Sequence, residues 1–395
     1  MNPSTSLNPQ QREAVETSRG PMLILAGAGS GKTRVIVHRI AHLIREQVPP
    51  SRIIAVTFTN KAANEMKERL SQMLGESGKG VHLSTFHSLG VRILRETIDL
   101  LGYHKNFVIY DSQDQLALIR NLMDEEGISE SPLIDPKSAQ QMIHHAKTRG
   151  TSPEELLVPN ALPRTRLTGQ LYGQYQETLK GCNALDFEDI LNFCLKLFES
   201  HADKMQEIRD RFRYVMVDEY QDTNSVQYRL LKHLVRDHRN LCVVGDDDQS
   251  IYGWRGAEPG NLFQFEKDFP DVKVVRLEQN YRSTEVILKA ANALIENNSQ
   301  RMPKTLWSEK PGGELLGWIE AEDEVLETET VVRRIRLDIM RKNRKLEEYC
   351  ILYRSNFQSR VLEESLREAK LPYRVVGGKS FFERKEIRDA LAYLK

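Results

Sequence analysis

Short, unbroken apolar runs alternate with amphipathic stretches at the start of the chain. Leu23-Ile24-Leu25, Ile53-Ile54-Ala55-Val56 and Val81-His82-Leu83 are too short for helices and read as buried strands. Between them apolar residues recur at helical spacing, as in Val35, Ile36, Ile40, Leu43 and Ile44. Strands alternating with helices predict an α/β fold built on a parallel sheet. From about residue 88 to 210 the pattern changes. Helical periodicity covers 89–101, 113–123, 136–147, 167–180 and 186–200, and strand signals nearly vanish. This predicts a helical domain inserted into the α/β one. Strands return at Tyr214–Val217, Leu241–Val244 and Val272–Leu277. Two more are expected, at Leu315–Ile319 and Tyr349–Tyr353, around a charged helix over Val325–Lys342. The basic run from Arg333 to Lys345 reads as a solvated helix face and is assigned no site.

Composition narrows the class. A chain of 395 residues exceeds one ordinary core, so two or three domains are expected. Lys+Arg and Asp+Glu both number 56, which excludes a wholly basic coat but not a local basic channel. Cys182, Cys194, Cys242 and Cys350 lie far apart without a C-x-x-C pair. Neither a disulfide framework nor a zinc site is indicated, which fits a reducing cytosol and a cytoplasmic location. Met1–Thr5 lacks the basic and apolar regions of a signal peptide. No apolar run reaches the roughly 18 residues of a membrane span, so no membrane partner is expected.

The chemistry begins at Ala26-Gly27-Ala28-Gly29-Ser30-Gly31-Lys32-Thr33, between a strand and a helical pattern. Small residues let backbone N–H groups converge on phosphate oxygens, and the helix N-terminus adds partial positive charge. Lys32 can reach the β- and γ-phosphates, and the Thr33 hydroxyl can ligate Mg²⁺. Ala26 stands where glycine is usual. The strand Val215–Val217 then runs into Asp218-Glu219-Tyr220-Gln221-Asp222. Acids at a strand's C-terminal end sit where α/β sites form. Asp218 would hold Mg²⁺, and Glu219 would orient and deprotonate an attacking water. Gly245-Asp246-Asp247-Asp248-Gln249-Ser250-Ile251-Tyr252-Gly253-Trp254-Arg255 follows another strand. Gln249 can sense a γ-phosphate, while Tyr252 and Trp254 beside Arg255 suit stacked single-stranded bases. In Leu277-Glu278-Gln279-Asn280-Tyr281-Arg282-Ser283, Arg282 could stabilise charge in phosphoryl transfer, and Tyr281 could stack on a base.

In this order the blocks resemble superfamily 1A DNA helicases of the Rep/UvrD/PcrA type, most of all its Rep branch. Leu7-Asn8-Pro9-Gln10-Gln11 resembles the adenine-reading motif, so Gln11 would pair with the adenine edge, and Arg34 and Tyr281 join the nucleotide site. Ala55-Val56-Thr57-Phe58-Thr59-Asn60 and Ser84-Thr85-Phe86-His87 resemble strand-binding motifs. The resemblance implies that Phe58, Tyr252 and Trp254 form base-stacking pockets, with Thr57, Asn60, His87 and Arg255 touching the strand. It implies two RecA-like lobes, each with an inserted domain, and ATP between them. Residues 1–88 and 210–276 would form the first lobe, 89–209 its helical insertion, 277–377 a partial second lobe, and 378–395 the start of a second insertion. ATP-driven, 3′-to-5′ movement on single-stranded DNA and at single-strand/duplex junctions follows, with accessory replication or repair proteins as possible partners. Two later family motifs, near Thr-x-His-x-x-Lys-Gly-Leu-Glu and Val-Ala-x-Thr-Arg-Ala, are absent from this sequence. The chain is therefore expected to bind ATP and DNA but to be impaired in unwinding. A non-catalytic ATP-gated strand-binding module and the helicase half of a helicase–nuclease are the alternatives.

Overall fold

The computed structural model describes residues 7–129, 131–258 and 260–376, without the Arg255 side chain. Its strands are β1 Met22–Ala26, β2 Ile53–Thr57, β3 His82–Thr85, β4 Val108–Ile109, β5 Ala184–Leu185, β6 Tyr214–Val217, β7 Leu241–Gly245 and β8 Lys273–Leu277. Six of them form one sheet in the order β3-β2-β6-β7-β1-β8, every neighbouring pair parallel. Side chains alternate across it. Leu23, Leu25, Ile54 and Val56 enter one core, whereas Met22, Ile24, Ala26, Ile53 and Ala55 enter another. Both faces are therefore covered by helices, which is why these strands read as continuous apolar runs.

On one face lie α1 Pro9–Glu16, α2 Lys32–Arg45 and α3 Asn60–Leu74, contributing Val15, Ile36, Ile40, Met66 and Leu70 to that core. The other face carries α4 Phe86–Thr97 and, further along the chain, helices from the insertion. The insertion itself comprises α5 Ser112–Glu125, α6 Pro136–Arg149, α7 Pro163–Gly181, α8 Phe187–Ser200 and α9 Ala202–Arg211. Ile119, Met123, Ile143, Leu171 and Tyr175 give α5, α6 and α7 a core of their own, whereas Leu191 and Leu195 of α8 and Met205 and Ile208 of α9 enter the sheet's core. α8 packs with α4 and with α10 Ser225–Val235 over the sheet. Buried Lys147 on α6 bonds Asp186 at 2.6 Å and Asp189 at 2.7 Å, and so joins α6 to the start of α8. Burial opposes its charge, but Asp189 and Asp186 outweigh that and hold the ammonium above its ordinary pKa. α11 Gly260–Asp268 and α12 Glu285–Ile295 complete the first compact unit, Met1–Gly313.

The second compact unit begins at Glu314. Its described part contains α13 Glu324–Lys342 and α14 Ser359–Glu368. The strands expected at 315–319 and 349–353 do not form. Both segments lack a ladder partner among the described residues, and Leu315, Trp318 and Leu352 stand exposed. Apolar content alone makes no strand, because the ladder bonds must come from a neighbour. Residues 378–395, expected to open a second insertion, lie outside the described residues. No helix among the described residues is long and apolar enough to cross a membrane.

Candidate functional site

The phosphate-loop sequence closes β1 and opens α2. Gly29 and Gly31 adopt left-handed φ of 69° and 91°, which glycine tolerates without strain. Three loop carbonyls are engaged by neighbouring elements. Asn280 Nδ2 donates to Ala28 at 2.6 Å, the Tyr281 amide to Gly29 at 2.9 Å and Gln11 Nε2 to Ser30 at 2.8 Å. In planar trans peptides the Gly29 and Gly31 N–H groups point opposite the Ala28 and Ser30 carbonyls. A Cβ on Gly27 would meet Leu306 Cδ2 at 2.1 Å, so that side chain would have to shift to admit one. No side chain caps the start of α2.

Lys32 and Thr33, at that helix start, meet the acids that follow β6. Lys32 Nζ lies 2.8 Å from Glu219 Oε2, and Thr33 Oγ1 donates to Asp218 Oδ2 at 3.2 Å. Burial, reinforced by neighbouring Glu219, pushes the Asp218 carboxyl up to about 6. Glu219 has φ 52°, an uncommon left-handed value outside glycine. Asp218 and Thr33 present hard oxygen donors side by side, the chemistry that suits Mg²⁺. At the other end of the loop, buried Gln11 closes a reciprocal cap with Asn8, bonding its amide at 3.2 Å. Asn8 Nδ2 in turn donates to the Tyr281 hydroxyl at 2.9 Å. The two lone pairs and two hydrogens of the Gln11 amide leave one of each for a ligand edge. Arg34 lies in the first turn of α2. Arg282 packs its Cβ against Gly29, and its amide donates to Asn280 Oδ1 at 2.8 Å. Gln249 bonds Asp246 through its side chain and, at 2.9 Å, its backbone.

A groove of about 1180 Å³ runs between the sheet's loops and the helical insertion. Thr57, Phe58, Asn60, His87, Tyr252 and Trp254 all line it. Phe58 is partly buried against the core, edge-on to Phe86 at 5.8 Å, so only part of its ring serves the groove. Trp254 is 68% exposed, and its ring centroid lies 6.4 Å from that of Tyr252. His87 stacks on Phe187 at 3.8 Å and 22°. Burial lowers the His87 pKa to about 4, so its imidazole is neutral at pH 7.

Several site residues escaped the sequence reading. Phe187 sits at the first position of an amphipathic helix, where an aromatic reads as core. Arg149 and Arg164 bring positive charge to the groove from the insertion. Asn280 and Gln221 lie inside recognised blocks, but only their folded partners reveal their bonds. Buried Lys304 contacts Asp246, Asp247 and Asp248 at 2.8, 2.6 and 2.7 Å. That acidic triplet has metal-ligand spacing, yet the ammonium supplies its countercharge.

The fold and the site define a P-loop protein of the α/β, RecA-like class. Residues 7–270 match the profile of the UvrD/REP helicase N-terminal domain, and 275–395 that of the UvrD-like helicase C-terminal domain. The chain belongs to the UvrD/REP helicase family. It is 47% identical over 392 residues to the ATP-dependent DNA helicase PcrA of Bacillus subtilis, covering 99% of this chain and 53% of that protein. The PcrA proteins of Staphylococcus aureus (strain Mu50) and Staphylococcus epidermidis are each 46% identical, over 98% and 99% of this chain and 53% of theirs. The chain spans about half the length of these curated relatives.

Proposed function

We propose that this protein couples ATP hydrolysis to movement on single-stranded DNA, as an ATP-dependent 3′-to-5′ translocase and helicase. One observation carries the reading. The phosphate loop, the acid pair, the Gln249 loop and the groove-lining segments after β2 and β3 all follow C-terminal ends of parallel strands, on one sheet edge. Nucleotide and strand would thus be held by loops of the same edge. Lys32 and the loop amides would bind the β- and γ-phosphates. Gln11, Arg34 and Tyr281 would hold the base end. Thr33 and Asp218 would hold Mg²⁺, which supplies charge neutralisation at the phosphates. Glu219 would align water and take its proton. Gln249 and Arg282 would stabilise charge on the transferring group.

In the groove, bases would stack on Trp254, Tyr252 and the accessible edge of Phe58. Thr57, Asn60, His87 and Arg255 would contact the strand, and recognition would be tolerant of sequence. Residues 1–88 with 210–276 act as the first lobe in this scheme, 89–209 as its insertion, and 277–377 as part of the second. Junction DNA and accessory replication or repair proteins are the partners it implies, in the cytoplasm.

ATP turnover with and without oligo-dT, alongside strand displacement from a 3′-tailed duplex, tests the proposal. DNA-stimulated turnover is the expected result. Tight nucleotide binding with turnover indifferent to DNA would instead identify an ATP-gated strand-binding module.

A further inference from the structure

We infer that Gln221 is the positioning residue for hydrolysis. It aims Glu219 and ties that carboxylate to the loop carrying the groove aromatics. The inference rests on the assignment of Glu219 as the base. Gln221 is only 2% exposed, and both ends of its amide are engaged. Its Nε2 donates to Glu219 Oε2 at 2.9 Å, and its Oε1 accepts the Asp246 amide at 3.0 Å. Its backbone carbonyl accepts the Ser250 hydroxyl at 3.2 Å. There is little slack around it: a Cβ on Gly245 would meet Gln221 Oε1 at 3.0 Å and the Gln221 backbone nitrogen at 3.3 Å.

The geometry assigns two consequences. Glu219 Oε2 receives both Lys32 and Gln221. When Lys32 turns to a phosphate, Gln221 is the donor that keeps this carboxylate in place. The other oxygen, Oε1, is then presented to water. In the step, water oxygen bonds to the γ-phosphorus, the bond to the β–γ bridging oxygen breaks, and the water proton passes to Glu219. ADP and phosphate are the products. The second consequence concerns the loop. Asp246 and Ser250 begin the segment that continues to Tyr252 and Trp254, which line the groove. A strand that shifts those rings pulls on bonds held by Gln221. Lys304 braces the same loop through Asp246, Asp247 and Asp248, and Gln221 joins it to the base.

Two substitutions separate the bonds. Gln221→Glu keeps an acceptor for the Asp246 amide but has no hydrogen for ionised Glu219. Gln221→Leu removes both bonds. Each would be compared with the unaltered 395-residue chain and with Glu219→Gln for ATP turnover, oligo-dT stimulation and melting temperature. Affinities for ADP and for ADP–aluminium fluoride, which mimics the attacked phosphoryl group, complete the comparison. Gln221→Glu should lower turnover by about 10- to 100-fold, the cost of a misplaced reacting group, with KM and ADP affinity unchanged. Affinity for ADP–aluminium fluoride should fall with it. Gln221→Leu should also lose DNA stimulation while still binding oligo-dT. If Gln221→Glu matches the unaltered chain in turnover and fluoride-complex affinity while Glu219→Gln does not, the inference is overturned and the base assignment stands. If Glu219→Gln matches it too, the base assignment fails and this inference with it. Should turnover be too slow to follow, the fluoride-complex affinities decide by the same comparison. Retained DNA stimulation in Gln221→Leu overturns the link to the groove.

Discussion

The proposed function gives single side chains at the sheet edge separable roles. Lys32 pairs with Glu219 across the phosphate loop. Lys32→Ala should therefore abolish nucleotide binding or turnover, measured by titration with a fluorescent ATP analogue. Glu219→Gln should keep that binding and cut hydrolysis by about 10²–10⁴-fold, as loss of a general base does. Trp254→Ala should weaken oligo-dT binding by about 1–3 kcal/mol in fluorescence anisotropy, with ATP affinity intact. His87 makes a pH prediction. Its folded pKa of about 4 lies below the ordinary 6.5, because burial disfavours the cation. Between these values the unfolded chain binds the extra proton, so stability rises with pH. The contribution is full above about 6.5 and is lost as pH falls toward 4. In urea melts at pH 7 and pH 5, His87→Gln should lose less stability on acidification than the unaltered chain does.

Among the elements, the insertion's side of the groove depends on the joint between α6 and α8. Lys147 is fully buried between Asp186 and Asp189, with the Tyr175 hydroxyl 3.1 Å from Asp186. Removing one partner of a buried ion pair leaves uncompensated charge, at about 3–5 kcal/mol. Lys147→Ala should shift the denaturation midpoint accordingly and weaken strand binding, because Ala146, Thr148 and Arg149 line the groove beside it. Much of the element plan was legible. The strands of the sheet and the helices of the insertion follow from local periodicity, since 3.6- and 2-residue repeats are set by the backbone itself. The segments 315–319 and 349–353 show the limit. Their apolar runs resemble those of β1 and β7, but β1 has β7 and β8 for ladder partners, and these have none among the described residues.

Across the whole molecule, every proposed catalytic, nucleotide and strand-binding residue lies within the unit ending at Gly313. The link after it is exposed, and Gly312 and Gly313 adopt φ of 68° and 116°. Limited proteolysis should cut near residues 312–323 and release a fragment that retains nucleotide binding. Loss of binding on that cleavage would show that residues beyond 313 are needed.

By itself the sequence determined the α/β class, the phosphate loop, the acid pair and the family. These are signals written over short, contiguous stretches, where residue type and spacing dictate local backbone chemistry. Tertiary structure decided the rest. It put Phe187 against His87, Asn280 against Ala28, Lys304 among three aspartates and Gln221 between Glu219 and Asp246. Most of those partners come from separate elements. Parallel strands force long crossovers, so residues that meet at one sheet edge are far apart along the chain. No periodicity records such a meeting, because each bond depends on where a distant backbone comes to rest.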